Sequence, residues 1–265
     1  MKNIRIVWMA AIAVLVGATF TSCSKMDEEK EPVKRLVKFT TENVSTKTEM
    51  TFTYDADGHL KGAESVLYEG SNVTTSVYEF TWGENAIDYT MTRVEATDWV
   101  ETYSLALENG CAKLLSADHL FGQESPFSYD ERGRLANTSR AYYNLALGWV
   151  DNKLTSVKNS NFMMGYTQTF EYESITGARG YCPLIPHRVG SGILFIAHPE
   201  LAGLLTPYAP KKESIKYTLL GSSSTSTYTY EYDEDLYMTR IIETGTNNNA
   251  EKPSFIHTMV WEEVK

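Results

Sequence analysis

Short runs in which aromatic or aliphatic residues alternate with polar residues recur along most of the chain. The clearest examples are residues 51–54, 77–82, 167–172 and 227–232. Because successive side chains of a β-strand point to opposite faces, a period of two separates the apolar from the polar residues. One buried apolar face and one solvent-exposed polar face are typical of antiparallel sheets. The alternation therefore predicts a mainly β protein built from antiparallel strands.

A weak internal repeat separates the predicted strands. The pattern Y-D-x-x-G-x-L occurs at residues 54–60 and 129–135, and residues 232–238 keep its Tyr-Asp start without the glycine. A second form, W-x-[DE]-N-x-[LI], occurs at residues 82–87 and 149–154. In both forms an aromatic residue ends one strand, Asp, Asn or Gly supplies the turn, and an aliphatic residue begins the next strand. The repeated unit is therefore a hairpin.

One segment near residues 193–206 departs from this pattern and predicts a single short helix. Pro199 suits a first helical position, and Leu201, Leu204 and Leu205 share one face at helical spacing. We expect this helix to cap or plug an open edge or end of the sheet. The alternative is that it lines a binding site.

The N-terminus predicts export and lipid attachment. Residues 1–22 combine a basic start with a long apolar run and are interpreted as a lipoprotein signal peptide, with an uncleaved anchor as the alternative. Ser22-Cys23 resembles a bacterial lipobox, in which Cys23 is acylated. Residues 23–32 form a charged tether that ends at a proline, and residues 33–265 are interpreted as one antiparallel β domain.

Composition excludes several partners. A net charge of −10 argues against nucleic acid, because no basic surplus exists to neutralise phosphates. Three cysteines are too few for a disulfide framework or a cysteine-rich zinc module. Lipidation of Cys23 would leave Cys111 and Cys182, which could pair in an oxidising compartment.

Few residues indicate chemistry, and the chain is predicted not to be an enzyme. Residues 53–64 place Thr, Asp, Asp, Gly and Glu at the ligand spacing of an EF-hand loop. The second copy of the repeat has Arg132 and Ser139 at two of those positions, so the turn explains the pattern and we predict neither a metal nor a cofactor. The five histidines are scattered without metal-site spacing.

The lipobox, the acidic tether, the two turn motifs and the late His-Pro-Glu-Leu segment together resemble Bacteroidetes surface lipoproteins that carry a porin-like β domain of unknown function. The resemblance covers most of residues 33–265. It implies a long antiparallel meander curled into an open or half-closed barrel, with no established activity. Residues 129–135 also resemble the YD repeats of Rhs-type shell proteins. The polar faces of the predicted strands argue against a pore, because they would be costly in hydrocarbon.

These observations predict a non-catalytic binding protein for an exterior glycan, peptide or envelope partner. It would be held in the outer membrane by the lipid on Cys23 and face the cell exterior, with the periplasmic face as the alternative. Trp99, Tyr142 and Tyr143 are the candidate ligand contacts, with core packing as the competing interpretation. The alternative functions are an assembly protein that pairs an exposed sheet edge, or a carboxylate-based hydrolase.

Overall fold

The computed structural model describes residues 34–117, 124–140, 143–161, 165–173, 179–189, 192–248 and 250–264. The predicted signal peptide and the tether with Cys23 lie outside these ranges. Within them, sixteen antiparallel strands form one closed barrel. They are β1 (Lys34–Glu42), β2 (Thr46–Tyr54), β3 (Leu60–Glu69), β4 (Asn72–Trp82), β5 (Ala86–Arg93), β6 (Ala96–Glu108), β7 (Cys111–Ala117), β8 (Glu124–Tyr129), β9 (Leu135–Arg140), β10 (Tyr143–Val150), β11 (Lys153–Asn159), β12 (Tyr166–Tyr172), β13 (Pro210–Tyr217), β14 (Ser223–Tyr232), β15 (Met238–Asn247) and β16 (Ala250–Glu263).

The strands follow one another around the barrel in chain order, which confirms the predicted antiparallel meander. The barrel is closed where the resemblance implied an open or half-closed one. β1 pairs with β16 from Lys34 opposite Glu263 to Glu42 opposite Ile256. Closure gives the first and last strands hydrogen-bond partners and so removes the exposed backbone of a sheet edge.

The up-and-down course of the chain places all the repeated turns at one end of the barrel. This turn end comprises the connections β2–β3, β4–β5, β6–β7, β8–β9, β10–β11, β12–β13 and β14–β15, together with the start of β1 and the end of β16. The connections from each odd-numbered strand to the next strand lie at the opposite end, which we call the mouth.

Alternation along the strands separates a packed interior from a polar exterior. On β12, Gln168 and Phe170 are buried, whereas Thr167, Thr169 and Glu171 are exposed. The interior is filled from the other strands by side chains with almost no exposed surface. Examples are Phe39, Ile87, Leu105, Leu154 and Ile241.

The connection between β12 and β13 runs inside the barrel and forms a plug, defined here as the described residues 179–189 and 192–209. It contains α1 (Leu184–Val189), α2 (Ile193–Ala197) and a 3-10 turn (Pro199–Ala202). Its side chains contact strands from several sides of the barrel. Ring pairs include His187 with Phe39 of β1, Phe195 with Phe127 of β8, and Tyr181 with Trp261 of β16.

The plug confirms the predicted role of residues 193–206 but divides them differently. Pro199 has no backbone N–H to continue α2, so the α-helix ends and a separate 3-10 turn begins there. Gly203 ends that turn at φ 60°, and a Cβ on it would lie 2.4 Å from the Gly133 carbonyl. The plug therefore packs closely against the β8–β9 turn.

In the part of the chain that the structure describes, no helix has the length and apolar character needed to cross a membrane.

Candidate functional site at the barrel mouth

At the turn end, aromatic side chains donate the same kind of hydrogen bond to a backbone carbonyl in several strand pairs. In the β1–β2 pair, the Tyr54 hydroxyl donates to the Leu36 carbonyl at 2.7 Å. Trp82 Nε1 donates to the Leu60 carbonyl in the β3–β4 pair at 2.8 Å. The same bond links Tyr129 to Ala112, Trp149 to Leu135, Tyr172 to Leu154, Tyr230 to Pro210 and Trp261 to Met238. The repeat residues Tyr54, Trp82, Tyr129 and Trp149 are therefore structural, because each satisfies a carbonyl next to a turn. Tyr232, in the copy without the glycine, differs, since its buried hydroxyl has no partner among the described residues.

The Asp of the repeat is also structural. Asp55 Oδ1 accepts hydrogen bonds from the backbone N–H groups of Asp57 and His59, both at 2.9 Å. Asp130 and Asp233 make the same pair of bonds in their own turns. One ligand atom from each of Asp55, Asp57 and His59 lies within 4.8 Å of the others, but the shared turn geometry accounts for this grouping.

An ionic group with two buried carboxylates, which we call the Arg188 cluster, joins α1 of the plug to three strands. Arg188 forms an ion pair with Glu243 of β15, and its Nε lies 3.4 Å from Glu213 Oε2 on β13. The Tyr228 hydroxyl donates to Glu213, and Ser226 Oγ donates to Glu243 Oε1 at 2.8 Å. Burial opposes the Arg188 charge, but the two carboxylates outweigh it and raise its pKa.

Two histidines extend this cluster toward β1. His257 Nε2 lies 3.4 Å from Glu243 Oε2, and its Nδ1 lies 2.9 Å from Thr41 Oγ1. The ring of His187 packs at 5.5 Å from Phe39. Burial, with the nearby Arg188 charge as a smaller cause, lowers the pKa of His187 to about 3, so this imidazole is neutral at physiological pH.

The two carboxylates of the Arg188 cluster do not form the arrangement that the hydrolase alternative requires. A glycosidase needs two carboxyl groups that face each other across an accessible cleft. The side chains of Glu213 and Glu243 are 2% and 1% exposed, and both bind Arg188. The cluster therefore connects the plug to the barrel wall and does not expose an acid and a base to a substrate.

An aromatic series lines the inner face of β4, β5 and β6. Phe80 lies 6.5 Å from Tyr78 and 5.1 Å from Tyr89, and Tyr89 stacks on Tyr103 at 4.6 Å. Their cross-strand pairing places all four on the same face of the sheet. The series leads from the packed interior toward the rim.

Trp99 lies at the mouth end of this wall. The Arg93 guanidinium lies over its ring at 5.2 Å from the centroid, and Trp99 Nε1 donates to Glu101 Oε1 at 3.0 Å. The Tyr103 hydroxyl donates to the other oxygen of Glu101. Trp99 nevertheless remains 45% exposed. Its indole is thus held in one orientation at the rim of the barrel.

Tyr143 begins β10 at the same rim and is 41% exposed. Tyr166 and Tyr217 form a ring pair at 6.4 Å on nearby strands. Burial, followed by the proximity of Tyr143 and Tyr217, raises the pKa of Tyr166. Tyr143 therefore belongs to a second aromatic wall at the mouth.

The structure places two of the three predicted ligand residues at the mouth without bringing them together. Trp99 and Tyr143 lie on β6 and β10, with β7, β8 and β9 between them. Their exposure contradicts the competing interpretation of core packing. Tyr142 lies outside the described residues, as does Cys23.

The Arg188 cluster is not among the residues predicted from the sequence, although two of its members carry a local signal. Glu243 follows Ile241 at a spacing of two, and His257 lies between Phe255 and Met259. A charged or polar residue at the apolar phase of a strand predicts a buried polar group that needs a partner. The partner, Arg188, could not be identified because it comes from the plug.

Cys182 is a free thiol buried in the plug, so it forms no disulfide with Cys111. Burial raises its pKa to about 12, which keeps the thiol protonated and unreactive. The pairing that the sequence left open is therefore absent between these two residues.

No protein-family model matches the chain, and no curated protein matches it in sequence. Among solved structures, the barrel is similar to a porin-like protein from Bacteroides uniformis, with a TM-score of 0.63 and 15% sequence identity over 87% of this chain and 96% of that chain. A porin-like protein from Bacteroides vulgatus is 11% identical over 86% of this chain and 98% of that one, with a TM-score of 0.37. At this level of identity, the Bacteroides uniformis structure supports the porin-like β fold and does not extend to activity.

Proposed function

We propose that this chain is a lipid-anchored protein of the outer membrane or cell surface whose barrel mouth binds an exterior ligand without transforming it. The observation that carries the proposal is the contrast between the barrel ends. The plug fills the turn end, whereas Trp99 and Tyr143 remain exposed on the inner face at the mouth. Rigid aromatic side chains of this kind are typical of binding surfaces, because they offer a large apolar face at low entropic cost.

The outer wall supports an anchored barrel over one that spans a bilayer. Exposed threonines alternate with charged pairs on the outward face of the strands. Two such pairs are Lys212 with Glu171 at 2.9 Å and Arg240 with Glu231 at 2.8 Å. Transfer of these groups into hydrocarbon would remove their hydration without a replacement partner.

The position of the first strand supports the same arrangement. β1 starts at Lys34, which lies at the turn end. The ten residues between Cys23 and Lys34 can span at most about 36 Å when fully extended. Attachment at this end leaves the mouth directed away from the anchoring membrane.

The closed sheet weakens the assembly alternative. That alternative required an exposed sheet edge to which a partner strand could pair. β1 and β16 pair with each other along the barrel seam, so neither of these terminal strands offers a free edge. A ligand at the mouth is the better-supported function.

The anchor is tested by the variant Cys23→Ala in cells fed a labelled fatty acid. We expect loss of the label and release of the protein from the membrane fraction, because the acylated thiol is gone. Cys182→Ala is the matched control, because Cys182 is a free thiol, and it should keep its label. Persistent labelling of Cys23→Ala would contradict the anchor. Protection from protease on intact cells would favour the periplasmic face.

The binding site is tested with glycan and peptide arrays, followed by hydroxyl-radical footprinting of the full chain with any ligand found. We expect the ligand to protect Trp99 and Tyr143 from oxidation. Protection confined to the outer wall, or no ligand at millimolar concentrations, would contradict a binding function at the mouth.

A further inference from the structure

We propose that the mouth recognises a neutral carbohydrate and that Trp99 is the platform on which a sugar ring stacks. This inference rests on the proposed binding function and names its ligand class. The C–H groups on the face of a pyranose carry partial positive charge, so they are attracted to the negative face of an indole. The hydroxyl groups around the sugar ring then need polar partners at the edge of the platform.

Trp99 is organised for such stacking before any ligand arrives. Arg93 supports one face of the indole, and Glu101 holds its Nε1 at 3.0 Å. Glu101 is itself only 7% exposed, so the residue that orients the indole is held by the barrel wall. A platform that needs no reordering loses little conformational entropy on binding.

The polar groups that contact the indole position it and do not bind the sugar themselves. The Nε–H of Arg93 is buried, and Glu101 already accepts hydrogen bonds from Trp99 and Tyr103. Hydrogen-bond partners for the sugar hydroxyl groups must therefore come from the inner wall around the platform.

The inner wall near the mouth carries several hydroxyl groups around one exposed leucine, Leu67, and this mixture favours a sugar over a lipid chain. Cross-strand pairing places half-buried Thr and Ser side chains on the inner face of the first strands. These are Thr41, Thr48, Thr74, Ser65 and Ser76. An acyl chain would strip water from these groups without offering them hydrogen bonds.

Charge at the platform is balanced, because Trp99 contacts one guanidinium group, that of Arg93, and one carboxylate, that of Glu101. A balanced pair offers no Coulombic attraction to a phosphate or an acidic sugar, so an uncharged hexose or pentose fits this position.

The test measures the affinity of the full chain for neutral oligosaccharides of glucose, mannose, galactose and xylose by titration calorimetry. We expect Trp99→Ala to weaken binding about tenfold or more, because it removes the stacking face at the centre of the site. Trp99→Phe should retain part of the affinity, since it keeps a smaller aromatic face.

Tyr68→Ala is the matched control, because Tyr68 is an exposed aromatic residue at the same rim. It pairs with Lys47 and Val73 on the outer face and lies outside the proposed site. Its removal should leave the sugar affinity unchanged. The urea midpoint of Tyr68→Ala should match the parent, whereas Trp99→Ala should lower it, because this change removes a hydrogen bond to the largely buried Glu101. The affinities are therefore compared without urea, where each variant is shown to be folded by circular dichroism.

The outcomes separate this inference from the function on which it rests. Sugar binding that Trp99→Ala changes by less than about twofold would overturn the platform. Binding of peptides alone at the mouth would overturn the carbohydrate class and leave the binding function standing. If neither class binds, both proposals are wrong.

Discussion

Aromatic side chains differ in burial between the two ends of the barrel. At the turn end, rings such as Tyr54 and Trp82 lie against the plug, and their polar atoms donate to backbone carbonyls. At the mouth, Trp99 and Tyr143 stay exposed. The difference teaches that aromatic residues are buried in support of the fold at one end and present exposed surface at the other.

Hydrophobic exposure follows the same division. Large apolar side chains are exposed at several positions near the mouth, whereas fewer are exposed at the turn end, where Val150, Leu236 and Val264 are examples. The exposed residues at the mouth are Val44, Leu67, Tyr68, Val73, Val94, Val100, Leu219 and Leu220. Exposed apolar surface concentrated at one end is typical of an interaction region.

Loss of the Arg188 charge should have the largest effect on stability, because two buried carboxylates beside the plug would then lack a positive partner. We expect Arg188→Met to lower the free energy of unfolding by about 3–5 kcal/mol in urea titrations. Arg240→Met is the control, since its partner Glu231 is exposed, and it should cost less than about 1 kcal/mol. Equal effects would mean that the cluster does not hold the plug.

Asp130→Ala should come next, at about 1–3 kcal/mol near neutral pH, because it removes a charged acceptor from two backbone N–H groups and Arg134. Burial favours the protonated acid, but the bonds from Arg134 and Arg132 outweigh it and lower the Asp130 pKa. The stabilisation is therefore present above the carboxyl's unfolded pKa and is lost as the pH falls through the folded pKa.

Urea titrations between neutral and strongly acidic pH measure this effect. The Asp130→Ala protein should show a shallower loss of stability in acid than the parent. Glu131→Ala, at the next and exposed position of the turn, should follow the parent curve. Parallel curves for Asp130→Ala and the parent would show that the turn carboxylate does not stabilise the turn end.

Tyr129→Phe removes a single hydroxyl group at the turn end and so measures its contribution to stability. The Tyr129 hydroxyl donates to the Ala112 carbonyl at 2.5 Å and lies 3.3 Å from the Leu201 carbonyl of the plug. Its loss should cost about 1 kcal/mol of unfolding free energy in urea. Tyr143→Phe at the mouth is the matched control and should be neutral. A larger effect at Tyr143 would reverse the proposed division of roles.

The smallest predicted effect is a stabilisation. Leu236 takes the position that Gly58 and Gly133 occupy in the other repeats, and it has a φ of 69°. A left-handed conformation is strained for leucine, so Leu236→Gly should raise the unfolding free energy by about 0.5 kcal/mol after the added chain entropy is included. A lower melting temperature for Leu236→Gly would show that packing of this side chain outweighs the strain.

Much of the barrel could be predicted because its signals are local. The alternation in residues 167–172 and 227–232 identified the strands β12 and β14, and the Tyr-Asp turns marked their connections. The mouth position of Trp99 and Tyr143 could not be predicted, because it depends on which strands pair and where each strand begins. The helix α1 was missed, since its six residues are too few to show a period.

The sequence by itself determined the period of the strands, the chemistry of the turns and the face on which each side chain lies, because these depend on neighbours within a few residues. Only the tertiary structure decided that β1 meets β16, that the plug turns inward, and that Arg188 reaches Glu213 and Glu243. These contacts join residues far apart in the chain, and no local pattern specifies which distant partner will compensate a buried charge.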